Sequence, residues 1–223
     1  MLRRLVITIL TLLLAFAAAV AADDPWEKPW TKWTKGECEQ VMDASVVTLQ
    51  IREEHPTGEA AGGYRPGAPL LRVAVQWSTA LNRRQANLRL RILSGEITEE
   101  RAMEGLRQTR EHIILQLVLL SNIDSHFRDA AALEKNAQTT AYLLLAKSKT
   151  KLAAVKAEVV PRRAVSDPTI VRLYFPRVAE GHPSISAEEK EVMLVWPEMV
   201  TSFKALEAKF ELKKLAADPA NGL

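Results

Sequence analysis

Four apolar segments in the second half of the chain decide its fold: TAYLLLA at 140–146, LAAVKAEVV at 152–160, TIVRLYF at 169–175 and EVMLVW at 191–196. Branched and aromatic residues, which favour strands, are frequent in them, and polar or proline-containing turns separate them. Residues 206–213 then alternate strictly between apolar and charged side chains. This period of two predicts a fifth strand, although Glu, Ala, Lys and Leu individually favour helices.

Three further segments in the first half also read as strands. Residues 46–51 are β-branched, and residues 71–77 alternate between apolar and other side chains, which directs Trp77 into the core. The apolar run 113–120 could extend a preceding helix or form a buried strand. Its branched residues favour the strand.

Capping signals place helices between these strands. Thr34 and Glu37 fit a capping box for a helix over 35–44. Ser78 or Thr79 could cap a second helix that ends at Gly95, and its polar face carries Arg83, Asn87 and Arg91. Thr98 is the predicted cap of a third helix, and residues 125–136 form a fourth.

This order of elements predicts an α+β fold, with a mainly antiparallel sheet of about five to seven strands and helices packed on one face. The glycine- and proline-rich residues 52–69 form a loop. Residues 1–21 are predicted to be a signal peptide, 22–215 a single domain and 216–223 a flexible tail.

The predicted signal peptide places the mature protein in the periplasm or outside the cell. Arg3 and Arg4 precede an uncharged run that ends in the A-x-A motif at 19–21, although retention of this segment as a membrane anchor stays open. Cleavage lowers the formal net charge from +3 to +1, which argues against nucleic acid as a partner and leaves no membrane span. The lone Cys38 cannot form an internal disulfide, and we expect it to be buried.

Motifs for catalysis are missing from the sequence. It has no nucleophile elbow, no phosphate-binding loop and no dinucleotide fingerprint, so no cofactor is predicted. The best metal cluster, Asp124, His126 and Asp129, is better explained by a helix cap at Asp124, so no metal is predicted. Neighbouring pairs of glutamates point apart and favour solvated surface.

Three tryptophans near the mature N-terminus are the most unusual local feature. Trp26, Trp30 and Trp33 lie in residues 23–34, here called the strap, where two prolines favour extended backbone. The indole rings could stack on sugars or grip a partner protein. They could equally fasten the strap to the core, because burial of each ring is strongly favourable.

Basic residues collect at Lys147, Lys149 and Lys151. Their alternation predicts that they share one strand face. In an exported protein such a face could attach weakly to anionic lipid or cell-wall polymer, and attachment would be salt-sensitive. A solvated edge strand protected by lysines is the plainer interpretation.

Three sequence segments also resemble a group of uncharacterised exported bacterial proteins. They are the strap motif KPWTKWT before a short helix, VQWSTA at 75–80, and YFPR at 174–177 followed by ISAEEK. The likeness spans nearly the whole mature chain, except that Ser45 is followed by Val46 and Val47 where the group often has Ser-Pro-Trp. The resemblance implies one domain and export, but no activity or catalytic residue.

The sequence therefore favours a non-enzymatic binding or assembly module of the cell envelope. Its partner would be an envelope glycan, an anionic lipid surface or another envelope protein. The alternative is a hydrolase of envelope polymers whose site is assembled from residues distant in sequence.

Overall fold

The computed structural model of the protein describes residues 24–52, 70–107, 111–121, 127, 129–164, 167–197, 199 and 205–215. The predicted signal peptide, most of the predicted loop 52–69, the predicted tail, and Asp124 and His126 lie outside these residues. No helix within the described part of the chain is long and apolar enough to cross a membrane.

The described residues form two 3₁₀ turns in the strap, Pro25–Glu27 and Trp30–Lys32, and five α-helices. The helices are α1 (Lys35–Ala44), α2 (Leu81–Leu93), α3 (Glu99–Arg107), α4 (Ala130–Thr140) and α5 (Leu212–Leu215).

The strands are β1 (Val46–Arg52), β2 (Leu70–Trp77), β3 (His112–Ser121), β4 (Tyr142–Leu145), β5 (Lys151–Ala153), β6 (Lys156–Val160), β7 (Thr169–Pro176), β8 (Val178–Ala179), β9 (His182–Pro183), β10 (Glu191–Trp196) and β11 (Leu206–Glu211). They form an antiparallel sheet in the order β1-β2-β3-β7-β6, a second antiparallel sheet in the order β11-β10-β4-β5, and a small β8-β9 ribbon. The α+β class predicted from the sequence is confirmed.

One hydrophobic core receives side chains from both main sheets. The inward residues of β2, β3 and β7 alternate with outward ones, and those of β10 and β11 join the same cluster. Trp77 of the first sheet meets Phe210 of the second edge to face, with ring centroids 5.4 Å apart. The sheets also approach at their edges, where β11 contacts β1 and β5 contacts β7. Burial of two alternating faces against each other is therefore the main source of stability.

Most local predictions are confirmed. Residues 113–120 are a strand, and Trp77 is completely buried. Of the predicted strand 206–213, residues 206–211 form a strand despite their helical propensities, whereas Leu212 and Lys213 begin α5. The capping box of Thr34 and Glu37 is present. Gly95 adopts a φ of 76°, which suits a glycine after the helix end.

Three local predictions are wrong. The second helix begins after Ala80, because the Thr79 hydroxyl accepts a hydrogen bond from the Ile114 amide and so ties β2 to β3. The fourth begins after Asp129, whose carboxylate accepts from the Ala132 amide.

Residues 152–160 form two strands, not one. The Ala154 amide donates to Ala141 beside β4 in the second sheet, whereas the Val155 amide donates to Tyr174 in the first. The chain changes sheets between these two residues.

Candidate functional site

The prediction of an extended strap is only partly right, because the strap contains two 3₁₀ turns, Pro25–Glu27 and Trp30–Lys32. Pro25 begins the first 3₁₀ turn, where its fixed φ is favourable and its missing N–H costs nothing. Extended residues follow each turn, so the strap bends twice before it reaches α1. This path folds the strap against the helices.

Trp33 is the anchor of the strap. Its ring is only 2% exposed and packs with Cys38 and Val41 of α1 and Ala86 of α2. Its indole N–H donates to the Pro25 carbonyl at 2.8 Å, and its own carbonyl accepts from Arg89 Nε at 3.0 Å. The Trp33 side chain therefore fastens the strap and is not exposed to a ligand.

Trp26 and Trp30 are only partly buried. Both pack against the cluster formed by Trp33, Cys38, Val41 and Ala86. This cluster, here called the strap cluster, is separate from the core between the sheets. The three predicted tryptophans thus divide into one buried anchor and two rings that retain exposed surface.

An ion pair adds a second fastening. Lys28 Nζ lies 2.8 Å from Glu37 Oε1, while Glu37 Oε2 accepts from the Thr34 amide at 2.8 Å and from the Thr34 hydroxyl at 2.9 Å. The hydrogen bond from Lys28, followed by those from Thr34, lowers the pKa of Glu37 to about 2. Glu37 therefore stays ionised near neutral pH.

A groove lies between the strap and the C-terminal helix α5. A cavity of about 530 Å³ is lined by Asp24, Trp26, Glu37, Gln40, Ala44 and Lys214, with Pro25 at its base. A second cavity of about 290 Å³ shares Ala44 and Lys214 and extends to Lys209, Phe210 and Glu211. We call these two cavities together the strap groove.

The far wall of the strap groove is held by α2. The buried Asn82 donates through Nδ2 to the Lys214 carbonyl at 3.1 Å, which fixes α5 beside α1. Lys214 Nζ lies 3.0 Å from Glu211 Oε2, so this wall carries an ion pair. Both walls of the groove therefore depend on α2, because Arg89 and Ala86 also hold the strap.

The strap groove combines an indole ring with hydrogen-bonding groups of every kind. Asp24 and Glu37 accept, Lys214 donates, and the Gln40 amide does both. Such a mixture suits a ligand with many hydroxyl groups and a flat apolar face. The 530 Å³ cavity of the groove lies in the usual range of volumes for ligand sites.

Two of the three carboxylates that line the groove, those of Glu37 and Glu211, are engaged in ion pairs. Glu37 is held ionised by Lys28 and Thr34, so it cannot donate a proton near pH 7. Glu211 is paired with Lys214. Within the described part of the chain, no group of three or more His, Cys, Asp or Glu residues could hold a metal ion.

The predicted lysine face does not form. Lys147 and Lys149 lie in the turn between β4 and β5, and only Lys151 belongs to a strand. Lys147 Nζ pairs with Glu188, and Lys151 Nζ lies 4.5 Å from the centre of the Tyr142 ring. The alternation failed as a predictor because a turn, marked by the positive φ of Lys149, interrupts the strand.

A buried carboxylate organises this turn. Glu189 is 6% exposed and accepts from the amides of Lys147 at 2.7 Å and Ser148 at 2.9 Å. Burial favours its neutral form, but these hydrogen bonds outweigh burial and lower its pKa. Glu188 and Glu189 therefore lie beside Lys147, and their negative charges reduce the positive potential of this surface.

Cys38 is buried, as predicted. It is completely buried in the strap cluster, and burial raises the pKa of its thiol to about 11. A thiol that remains protonated and shielded is a poor nucleophile, so Cys38 acts as a packing residue.

Sequence reasoning missed the polar half of the strap groove. Gln40 and Lys214 carry no motif, and only the fold brings them to Trp26. Comparison with models of protein families finds no match for this chain, and comparisons with curated proteins and solved structures find none either. The proposals below therefore depend on the geometry of the described residues.

Proposed function

We propose that the protein is an exported, non-enzymatic binding module that holds a glycan of the cell envelope in the strap groove. The observation that carries this proposal is the placement of the partly buried Trp26 ring beside Asp24, Gln40 and Lys214. The apolar face of a sugar ring packs well on an indole, and its hydroxyl groups need both donors and acceptors.

The fastening of the strap supports binding with little reorganisation. Trp33, Arg89 and the pair of Lys28 with Glu37 hold the backbone on both sides of Trp26. A ring that is already placed loses little conformational entropy when a ligand binds.

The ionisation of Glu37 supports binding over hydrolysis. Hydrolysis of a glycosidic bond needs a carboxylic acid that donates a proton, with a second carboxylate in a defined position. Glu37 has its pKa lowered to about 2 and its oxygens engaged by Lys28 and Thr34. In this groove it serves as a fixed acceptor.

The test is a titration of the purified protein with soluble peptidoglycan fragments and with oligosaccharides from envelope polysaccharides. Binding is followed by calorimetry and by tryptophan fluorescence. We expect saturable binding that Trp26→Ala weakens at least tenfold, because the stacking surface is lost.

Trp30→Ala is the matched control, because Trp30 is also a partly buried strap tryptophan but does not line the groove. It should bind as the wild type does. No binding to any of these glycans, or equal loss in both variants, would contradict the proposal.

A further inference from the structure

A third cavity is bordered by the end of β2, by α2 and by α3. Its volume is about 360 Å³, and its polar lining consists of Gln76, Ser78, Arg83, Arg84 and Asn87. Leu88 and Gly105 supply the apolar part. Among the described residues that line this cavity, here called the arginine pocket, none is acidic.

Arg83 carries its charge without an ion pair among the described residues. Its Nη1 donates to the Met42 carbonyl at 3.0 Å and to the Ser45 hydroxyl at 2.7 Å. With the Gln76 amide turned so that its oxygen faces the guanidinium, that oxygen accepts from Nη2 and Nε. These acceptors are uncharged, so they leave the charge of Arg83 uncompensated apart from the attraction of the Asp43 carboxylate.

Arg84 adds a second guanidinium at the same wall. Its Nη2 donates to the Gly105 carbonyl at 2.9 Å, in the last turn of α3. This contact spans from α2 to α3 and fixes the width of the pocket. Arg84 is therefore held against α3 by the Gly105 and Leu106 carbonyls.

Charges of both signs lie near the two guanidinium groups of the pocket. Burial lowers the pKa of Arg83, and the Asp43 carboxylate only partly opposes this effect. Burial and then the charge of Arg84 lower the pKa of Arg177, which places a third guanidinium within electrostatic range. The pocket therefore places two guanidinium groups, those of Arg83 and Arg84, in its lining, where an anion is favoured.

We propose that the arginine pocket binds the oxyanion group of a small ligand, either a phosphate or a carboxylate. Two guanidinium groups provide charge-assisted hydrogen bonds, and Ser78 and Asn87 add neutral hydrogen-bonding groups around the same space. The pocket exceeds the size of a bare oxyanion, and Leu88 offers an apolar wall to the rest of the ligand. This site is separate from the strap groove, so it does not depend on glycan binding.

The experiment is calorimetry of the purified protein at low and high salt with inorganic phosphate, a sugar phosphate, acetate and a uronic acid as probes. We expect binding that is stronger at low salt and stronger for the two organic probes. Stronger binding of inorganic phosphate and the sugar phosphate would identify the bound group as a phosphate. Stronger binding of acetate and the uronic acid would identify it as a carboxylate. No saturable binding of any probe would overturn the proposal.

Arg84→Gln and Asn87→Asp test the location. The first removes one charge, and the second places a negative charge in the pocket at an exposed residue, so it is expected to leave folding intact. We expect each to weaken binding at least tenfold.

Arg101→Gln is the matched control, since it changes the net charge as Arg84→Gln does but on the exposed surface of α3. It should leave binding of all four probes unchanged, and Trp26→Ala in the strap groove should leave binding of inorganic phosphate and acetate unchanged. Equal weakening by Arg101→Gln and Arg84→Gln, or unchanged binding in both pocket variants, would overturn the assignment.

Discussion

Trp77 and Trp33 are equally well buried, yet they belong to regions of very different size. Trp77 lies in the core between the two sheets, to which strands from β2 to β11 contribute. Trp33 lies in the strap cluster, where Cys38, Val41 and Ala86 are the described residues buried with it. The first core holds the sheets together, whereas the second holds a surface feature onto helices. The strap side of the candidate binding site therefore depends on a different hydrophobic cluster from the one that holds the sheets together, although Phe210 of the core also lines the groove.

The largest expected loss of stability follows from a substitution in the core between the sheets. Trp77→Ala removes the ring that packs on Phe210 and should lower the free energy of unfolding by about 3 to 5 kcal/mol. Urea denaturation followed by circular dichroism measures this change.

Trp77→Phe is the control for that variant. The indole N–H of Trp77 has no hydrogen-bond partner among the described residues, so phenylalanine removes an unsatisfied donor while it keeps a ring in place. We expect less than half of the loss caused by alanine. Equal destabilisation by both variants would show that the shape of the indole, not burial of a ring, is what the core requires.

The next effect should be confined to the strap. Trp33→Ala removes the anchor and its hydrogen bond to Pro25, and should cost about 2 to 3 kcal/mol locally, less than in the larger core. We expect faster proteolysis within the strap and loss of glycan binding, with the denaturation midpoint of the sheets little changed. A shift of that midpoint as large as in Trp77→Ala would show that the two clusters unfold as one unit.

The difference between local and long-range features explains which parts of the fold can be predicted from the sequence. Alternation is a local property, so segments such as 71–77 and 206–211 are recognisable as strands from their own residues. The pairing of one strand with another is not a local property, because it depends on residues far away in the sequence. Tyr142–Leu145 pairs with β10 instead of with the next strands of the first sheet, and the change of sheets at Ala154 and Val155 carries no signal in composition.

The same limit applies to the candidate sites. Trp26 stands out because three tryptophans in so short a segment are unusual, and the polar face of α2 with Arg83 and Asn87 is visible from helical spacing. Lys214 could not be connected to Trp26, since a hydrogen bond from Asn82 places it there. Single polar residues carry no pattern until tertiary structure brings them together.

The smallest effect, and the most specific to the strap, should follow the charge of Glu37. The pKa of Glu37 is lowered from 4.5 to about 2 by Lys28 and Thr34, so its stabilising contribution is complete above about pH 4.5 and is lost as the pH falls toward 2. Glutamine can still serve as the third residue of a capping box, so Glu37→Gln removes chiefly the attraction to Lys28. At pH 7 we expect a loss of about 1 to 2 kcal/mol, reduced by solvent screening of the partly exposed pair.

The measurement is strap proteolysis and tryptophan fluorescence of wild type and Glu37→Gln from pH 7 to pH 2. The difference between the two proteins should shrink across the interval from about 4.5 to 2, since protonation of the wild type removes the same charge. Glu39→Gln is the control on the same helix, because Glu39 is well exposed and lies 3.9 Å from Lys35. It should differ little from wild type at any pH. A difference between wild type and Glu37→Gln that persists unchanged at pH 2 would mean that shape and capping, not charge, hold the strap to α1.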